Sequence, residues 1–175
     1  ALTHGGIANN LKVNLVRIES DYLKPKDIKD KLKGASGILI PGGFGKRGTE
    51  GKIAAITYAR NHNIPFLGIC FGMQMAVIEF ARNKLNIKKA TSSEFGPSKA
   101  SVVGLMSEWV KNGKKFKGTD KDLGGTMRLG SYEAKLKKGS LISKIYNSIK
   151  IDERHRHRYE VNINFKDEFE KKGMI

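Results

Sequence analysis

The feature that most constrains this chain is a cysteine set between two glycines, Gly68-Ile69-Cys70-Phe71-Gly72, where an apolar run meets a helical pattern. Residues 64–69 read as a short buried strand. Met73, Val77, Phe80 and Ala81 then fall at i, i+4, i+7 and i+8, so a helix begins at once. A chain that passes from strand to helix without a spacer must turn sharply, and glycine two residues to either side lets the two backbones approach. Cysteine at the apex of such a turn is placed as a nucleophile, and the adjacent helix N-terminus favours its thiolate form. A buried structural cysteine is the alternative on the pentapeptide alone.

A second glycine-rich break supports the chemical reading. Residues 37–40 form an apolar strand that stops at Pro41-Gly42-Gly43-Phe44-Gly45. A thiolate attacking a carbonyl needs N–H donors where negative charge develops on oxygen, and the Gly43 and Phe71 amides are candidates for that oxyanion hole. Read singly, Gly42-Gly43 is a tight turn needing positive φ; two such turns at neighbouring strand ends favour a site. Between them Ile53, Ala55, Ile56, Tyr58 and Ala59 cover a broad helical face that Asn61-His62-Asn63 ends.

Elsewhere the patterns predict a β-branched strand at 13–18 and a helix at about 26–33 introduced by Pro25. Further on come a strand at 101–105, a polar loop at 111–121, a helix at 141–149 capped by Ser140, and a strand at 158–165. Alternating buried strands and helices imply an α/β fold with a mostly parallel central sheet flanked by helices, its chemistry in loops at the strand C-terminal ends.

Composition narrows the partners. With 33 Lys and Arg against 17 Asp and Glu, the formal charge is +16. The lysines are spread along the chain with few interleaved aromatics, which describes a solvated surface better than a nucleic-acid site. No apolar run approaches the roughly 20 residues of a membrane span, and no secretory leader opens the sequence, so a cytoplasmic location is expected. One cysteine makes no internal disulfide. His155 and His157 share a strand face, but the arginines around them disfavour a cation, and no metal is expected. His4 and His62 have no partner motif.

Ile40-Pro41-Gly42-Gly43-Phe44-Gly45, with Pro65-Phe66-Leu67-Gly68-Ile69-Cys70-Phe71-Gly72-Met73-Gln74, resembles the class I glutamine amidotransferase fold. Three further segments narrow the resemblance to the CTP synthase family: Ser93-Glu94-Phe95, Asp122-Leu123-Gly124-Gly125-Thr126-Met127-Arg128-Leu129-Gly130, and Glu153-Arg154-His155-Arg156-His157-Arg158-Tyr159-Glu160-Val161-Asn162. It implies Cys70 as nucleophile, Gly43 and Phe71 as oxyanion donors, and Gly43, Phe71, Gly72, Met73, Gln74, Glu94 and Arg158 as the L-glutamine site. The charges agree independently: a carboxylate suits the α-ammonium and an arginine the α-carboxylate of glutamine. Read without the family, Glu94 is a turn cap, Gln74 helix surface, and Arg158 a partner for Glu160 or another acid.

The resemblance further implies a parent enzyme that passes ammonia to a synthetase domain for ATP- and Mg2+-dependent amination of UTP. GTP would be its allosteric activator, acting near residues 111–121, and the parent would be a homo-tetramer. No cofactor is expected within residues 1–175, where no phosphate loop of the Gly-x-x-x-x-Gly-Lys type occurs. No His-Pro-Glu segment supplies the family's base, and the sequence opens on what resembles the end of a first helix. A partial amidotransferase domain over 1–175, lacking its first strand and C-terminal segment, is therefore expected. Competing readings are another enzyme of this fold, such as GMP synthase, and a non-catalytic remnant.

Overall fold

The computed structural model describes residues 1–105 and 127–175, together with the backbone of two strands between them. Helix α1 (Leu2–Ala8) ends at Asn9 and leads into an extended segment. The strand expected at 13–18 is not formed. Those residues have no ladder partner among the described residues and are mostly exposed, Val16 to 81%. β-Branched residues favour a strand only where a neighbour and a face to bury exist.

Pro25 opens a 3-10 turn, Pro25–Asp27, that runs into α2 (Ile28–Leu32), as its fixed φ suits a helix start. Ile28 and Leu32, one turn apart, pack with Leu23 and Ala55 in a small cluster. Strand β1 (Ile38–Ile40) follows, then α3 (Thr49–Asn61), β2 (Phe66–Gly68) and α4 (Phe71–Lys84). β1 and β2 pair in parallel with Ile38 opposite Phe66 and Ile40 opposite Gly68, so their C-terminal ends finish level.

Helix α4 carries the main core. Met75, Ile78 and Ala81 have no exposed surface, and they pack with Ile40, Ile53, Ile56, Phe71 and Val77. The buried stripe is therefore centred on Met75 and Ile78, whereas Met73 from the predicted stripe is 37% exposed. Glu79 is also buried, with its carboxylate gripped by Arg60 Nε and Nη2 of α3 at 2.9 to 3.2 Å and by Asn83 Nδ2 at 2.9 Å.

The second half is more antiparallel than the pattern suggested. β3 (Thr91–Ser92) lies parallel to β4 (Ser101–Leu105), and Tyr159–Val161 later pairs antiparallel with β4. Within residues 111–121, expected to be a polar loop, the backbone of Lys114–Lys117 (β6) pairs antiparallel with Glu108–Lys111 (β5). Residues 118–126 lie outside the described residues, and with them most of the Asp122 to Gly130 segment.

β7 (Arg128–Lys135) and β8 (Lys150–His157) form a long antiparallel hairpin around α5 (Leu141–Ile145). Ser140 caps α5 by accepting from Ser143 N–H at 3.2 Å, as expected, although the helix is shorter than predicted. The strand expected at 158–165 is confined to β9 (Tyr159–Val161), and a 3-10 turn leads from there to α6 (Lys166–Lys171). Phe169 of α6 packs on Phe80, tying the C-terminal helix to α4.

Candidate active site

Cys70 is the N-cap of α4, with φ 53° and ψ −104°. A β-carbon at positive φ is strained, and a non-glycine residue persists there only when its surroundings hold it. The flanking glycines explain how. A Cβ on Gly68 would lie 2.6 Å from Met73 N, and one on Gly72 would lie 2.1 Å from Ile40 O. Only hydrogen fits at either position. Two hydrogen bonds set the path: Ile69 N–H donates to Ile40 O and Gly72 N–H to Ile69 O, both at 2.9 Å.

The second glycine-rich turn lies against the first. A Cβ built on Gly42 would be 3.6 Å from Cys70 Cβ, and one on Gly43 would be 3.7 Å from the Phe71 ring. The level ends of β1 and β2 thus bring residues 41–45 over the elbow. Neither Gly43 N–H nor Phe71 N–H donates to an acceptor among the described residues, so both are free to receive a ligand oxygen. The Phe71 side chain is 2% exposed, which fixes the start of α4.

Lys52 braces the far end of this turn. Its ammonium donates to Ser20 Oγ at 2.8 Å, lies 3.4 Å from Gly48 O, and stands 5.8 Å from the centre of the Phe71 ring. Gly48, at φ 66°, is enclosed by Ser20 and Asp21, and Asp21 pairs with Arg47. The sequence reading missed this brace, and a lysine four residues after a glycine carries no distinguishing pattern.

Glu94 reaches the site from the turn after β3. Its Oε1 accepts from Gly45 N–H at 2.6 Å, while its own N–H donates to the fully buried Ser92 Oγ at 3.2 Å. The carboxylate therefore faces the glycine-rich turn, and Phe95 beside it meets the Phe71 ring edge-on at 6.2 Å. Gln74 is not helix surface: it is 4% exposed. Its backbone N–H donates to Cys70 O at 3.1 Å and its side-chain Nε2 to Tyr159 O at 2.9 Å. One residue thus spans the elbow and the Arg158-Tyr159 corner. Gly72 is buried beneath the elbow, and the Met73 side chain faces outward.

Arg158 stands at the bend between β8 and β9 and has no acidic partner among the described residues. Glu160 takes Arg128 instead, at 2.8 Å, an ion pair too oblique to count as a hydrogen bond. Arg128 also lies 4.6 Å over the Tyr132 ring. His155 Nδ1 and His157 Nε2 are 2.7 Å apart, and His157 Nδ1 is 3.2 Å from Tyr159 O. Burial, then Arg128 and His157, hold the His155 pKa below the ordinary 6.5 against the opposing pull of Glu160 and Glu153. Among the described residues no group of three or more His, Cys, Asp and Glu is placed to hold a metal.

A cavity of about 320 Å3 opens beside the site, lined by Lys46, Thr49, Arg82, Lys89 and Phe95. Cys70 does not line it and is itself partly exposed. Among the described residues no helix is long and apolar enough to cross a membrane.

Known proteins match the chain over nearly its whole length. The family described as glutamine amidotransferase class-I matches residues 1–174. The chain is 73% identical over 175 residues to a CTP synthase of Pelagibacter ubique, covering all of this chain and 32% of that protein. A CTP synthase of Rhizobium johnstonii is 58% identical over 176 residues with the same shares. The chain thus spans about a third of the length of these relatives. Among solved structures, the glutaminase domain of Trypanosoma brucei CTPS with bound acivicin superposes with a TM-score of 0.82 at 37% identity. That match covers 97% of this chain and 63% of the other.

Proposed function

The chain belongs to the class-I glutamine amidotransferase family, and on that premise we propose that it is the glutamine-hydrolysing part of a CTP synthase, with Cys70 as nucleophile. The observation that carries this is the contact of the two glycine-rich turns, so close that a Cβ built on Gly42 would stand 3.6 Å from Cys70 Cβ, with the Gly43 and Phe71 amides unbonded among the described residues.

The Cys70 thiolate attacks the side-chain amide carbon of glutamine, forming a C–S bond as the carbonyl electrons move to oxygen. The Gly43 and Phe71 N–H groups receive that oxyanion. Collapse of the adduct breaks the C–N bond, ammonia leaves after a general acid supplies its proton, and water then releases glutamate and restores the thiol. Cys70 is the N-cap of the 14-residue helix α4, at that helix's positive pole. Glu94 takes the α-ammonium and Arg158 the α-carboxylate, with the segment Phe71, Gly72, Met73 and Gln74 beneath the substrate. The superposition on a domain that holds acivicin supports a site of this kind here.

In the full-length enzyme, ammonia passes to a synthetase domain where ATP and Mg2+ drive the amination of UTP, GTP activates, and four copies assemble. Residues 111–121, assigned to the GTP response on resemblance, fall largely outside the described residues. The identity with named CTP synthases supports this part of the reading. It is tested in the full-length enzyme by glutamine-dependent amination of UTP against XMP, and by labelling with a glutamine-mimicking electrophile. Product from UTP is expected, with labelling abolished in Cys70→Ala and ammonia-dependent synthesis retained. Product only from XMP, or labelling that persists in the variant, overturns it.

A further inference from the structure

We infer that His157 is a positioning residue for glutamine binding, holding the Arg158-Tyr159 corner in place against the nucleophile elbow through the carbonyl of Tyr159. The inference rests on the reading above, in which Arg158 receives the substrate carboxylate.

Two donors converge on that carbonyl. Gln74 Nε2 approaches from α4 at 2.9 Å and His157 Nδ1 from β8 at 3.2 Å. Gln74 also donates its backbone N–H to Cys70 O at 3.1 Å, so the elbow and the corner share one rigid connection. A carbonyl only accepts, so Nδ1 of His157 must carry the proton. When the ring is neutral, Nε2 is then an acceptor, and it lies 2.7 Å from His155 Nδ1, which must be the donor. The two bonds fix the His157 ring at both nitrogens and aim it at Tyr159.

The surroundings leave little room for another arrangement. The His157 side chain is 13% exposed, with Glu160 Oε1 3.7 Å from its Nδ1, and the same carboxylate oxygen lies 2.8 Å from Arg128 Nη1. The His155 ring is braced in turn by Tyr132, edge-on at 5.5 Å. Pairing of β9 with β4 sets Tyr159 opposite Leu105, and among the described residues the bend at Arg158 has no ladder partner. Side-chain donors supply that restraint. If they are lost, the arginine stays in the molecule but is no longer indexed to Cys70.

The test uses steady-state kinetics of the full-length enzyme with glutamine and, separately, with ammonia. His157→Leu is expected to raise KM for glutamine about five- to tenfold, as loss of one hydrogen bond implies. Its kcat with glutamine and its whole ammonia-dependent activity are expected to stay within about twofold of the parent, since an uncoupled corner weakens substrate binding alone. His157→Asn sets an amide nitrogen in the same bonded position as Nδ1 and is expected to restore most of the affinity. His155→Leu, which frees the ring but keeps Nδ1, is expected to raise KM less, and it decides the matter if His157→Leu cannot be purified. An unchanged KM in the variants, an equal fall with both nitrogen sources, or no rescue by Asn overturns the inference. A parent enzyme that does not hydrolyse glutamine would instead overturn the reading on which it rests.

Discussion

Gly72 and Ile40 touch so closely that a Cβ on the glycine would stand 2.1 Å from the isoleucine carbonyl oxygen. The strand and the helix behind the nucleophile are in backbone contact there, with no side chain between them. Gly72→Ala is expected to lower the unfolding free energy by about 3 kcal/mol, the upper end for overpacking, because the obstructing atoms are backbone and cannot rotate away. Gly5→Ala in α1, where nothing lies within 4 Å, is the comparison and is expected to change stability by no more than about 1 kcal/mol. Urea midpoints check both; equal midpoints would show that the close approach carries no energetic weight.

The bond from Gly45 N–H to Glu94 makes two substitutions at one position informative. Glu94→Gln keeps an acceptor for the amide but loses the charge for the substrate ammonium, so KM for glutamine is expected to rise about tenfold or more with kcat little changed. Glu94→Ala also releases the glycine-rich turn, so kcat falls as well. Glutaminase kinetics separate the two, and identical behaviour would show that the tether to Gly45 is idle.

Arg60 is the counter-ion of a carboxylate that is 1% exposed. Arg60→Met leaves Glu79 charged and buried with Asn83 alone, and a loss of about 3–5 kcal/mol is expected. The double change with Glu79→Met removes the charge and fills the space between α3 and α4, and it is expected to recover most of the loss. Thermal or chemical unfolding checks both variants, and a double variant no better than the single one would mean that packing, not charge, sets the penalty.

His155 gives stability a pH dependence of known sign. Its folded pKa lies below the unfolded 6.5, so below that value the unfolded chain binds more protons. The stabilisation is complete above the unfolded pKa and is lost as pH falls through the lowered folded one. Unfolding midpoints measured from about pH 7.5 to about pH 5 should therefore decline, and less steeply in His155→Gln. An unaltered slope in the variant would place the titration elsewhere.

Much of the elbow was legible because its cause is local. A glycine on either side of a cysteine, between an apolar run and a helical period, admits few backbones, and β1, β2 and α4 follow. What escaped the reading depends on distant partners. The sequence placed only His155 and His157 on a strand face; the full β8, which carries Ile151, Glu153, His155 and His157 toward one face in a mostly polar alternation, is paired because β7 lies beside it. Residues 13–18 show the converse, a β-branched run with no ladder partner among the described residues. Gln74 spaced as helix surface proved buried, because its partner is a backbone carbonyl 85 residues away that no side-chain pattern announces. Arg128 and Glu160 lay within the recognised segments, yet their pairing required the hairpin to be seen.

The level ending of β1 and β2, with Ile40 opposite Gly68, also limits how this site can change in length. Inserting or deleting one residue in either strand would slide one glycine-rich turn past the other by about 3.3 Å and turn every following side chain to the opposite face. The two turns would no longer meet, whatever residues they carried. Lineages descended from this chain can lengthen or shorten it between Asn61 and Pro65, or beyond Lys84, but from Ile38 to Ile40 and from Phe66 to Gly72 they can vary only by substitution.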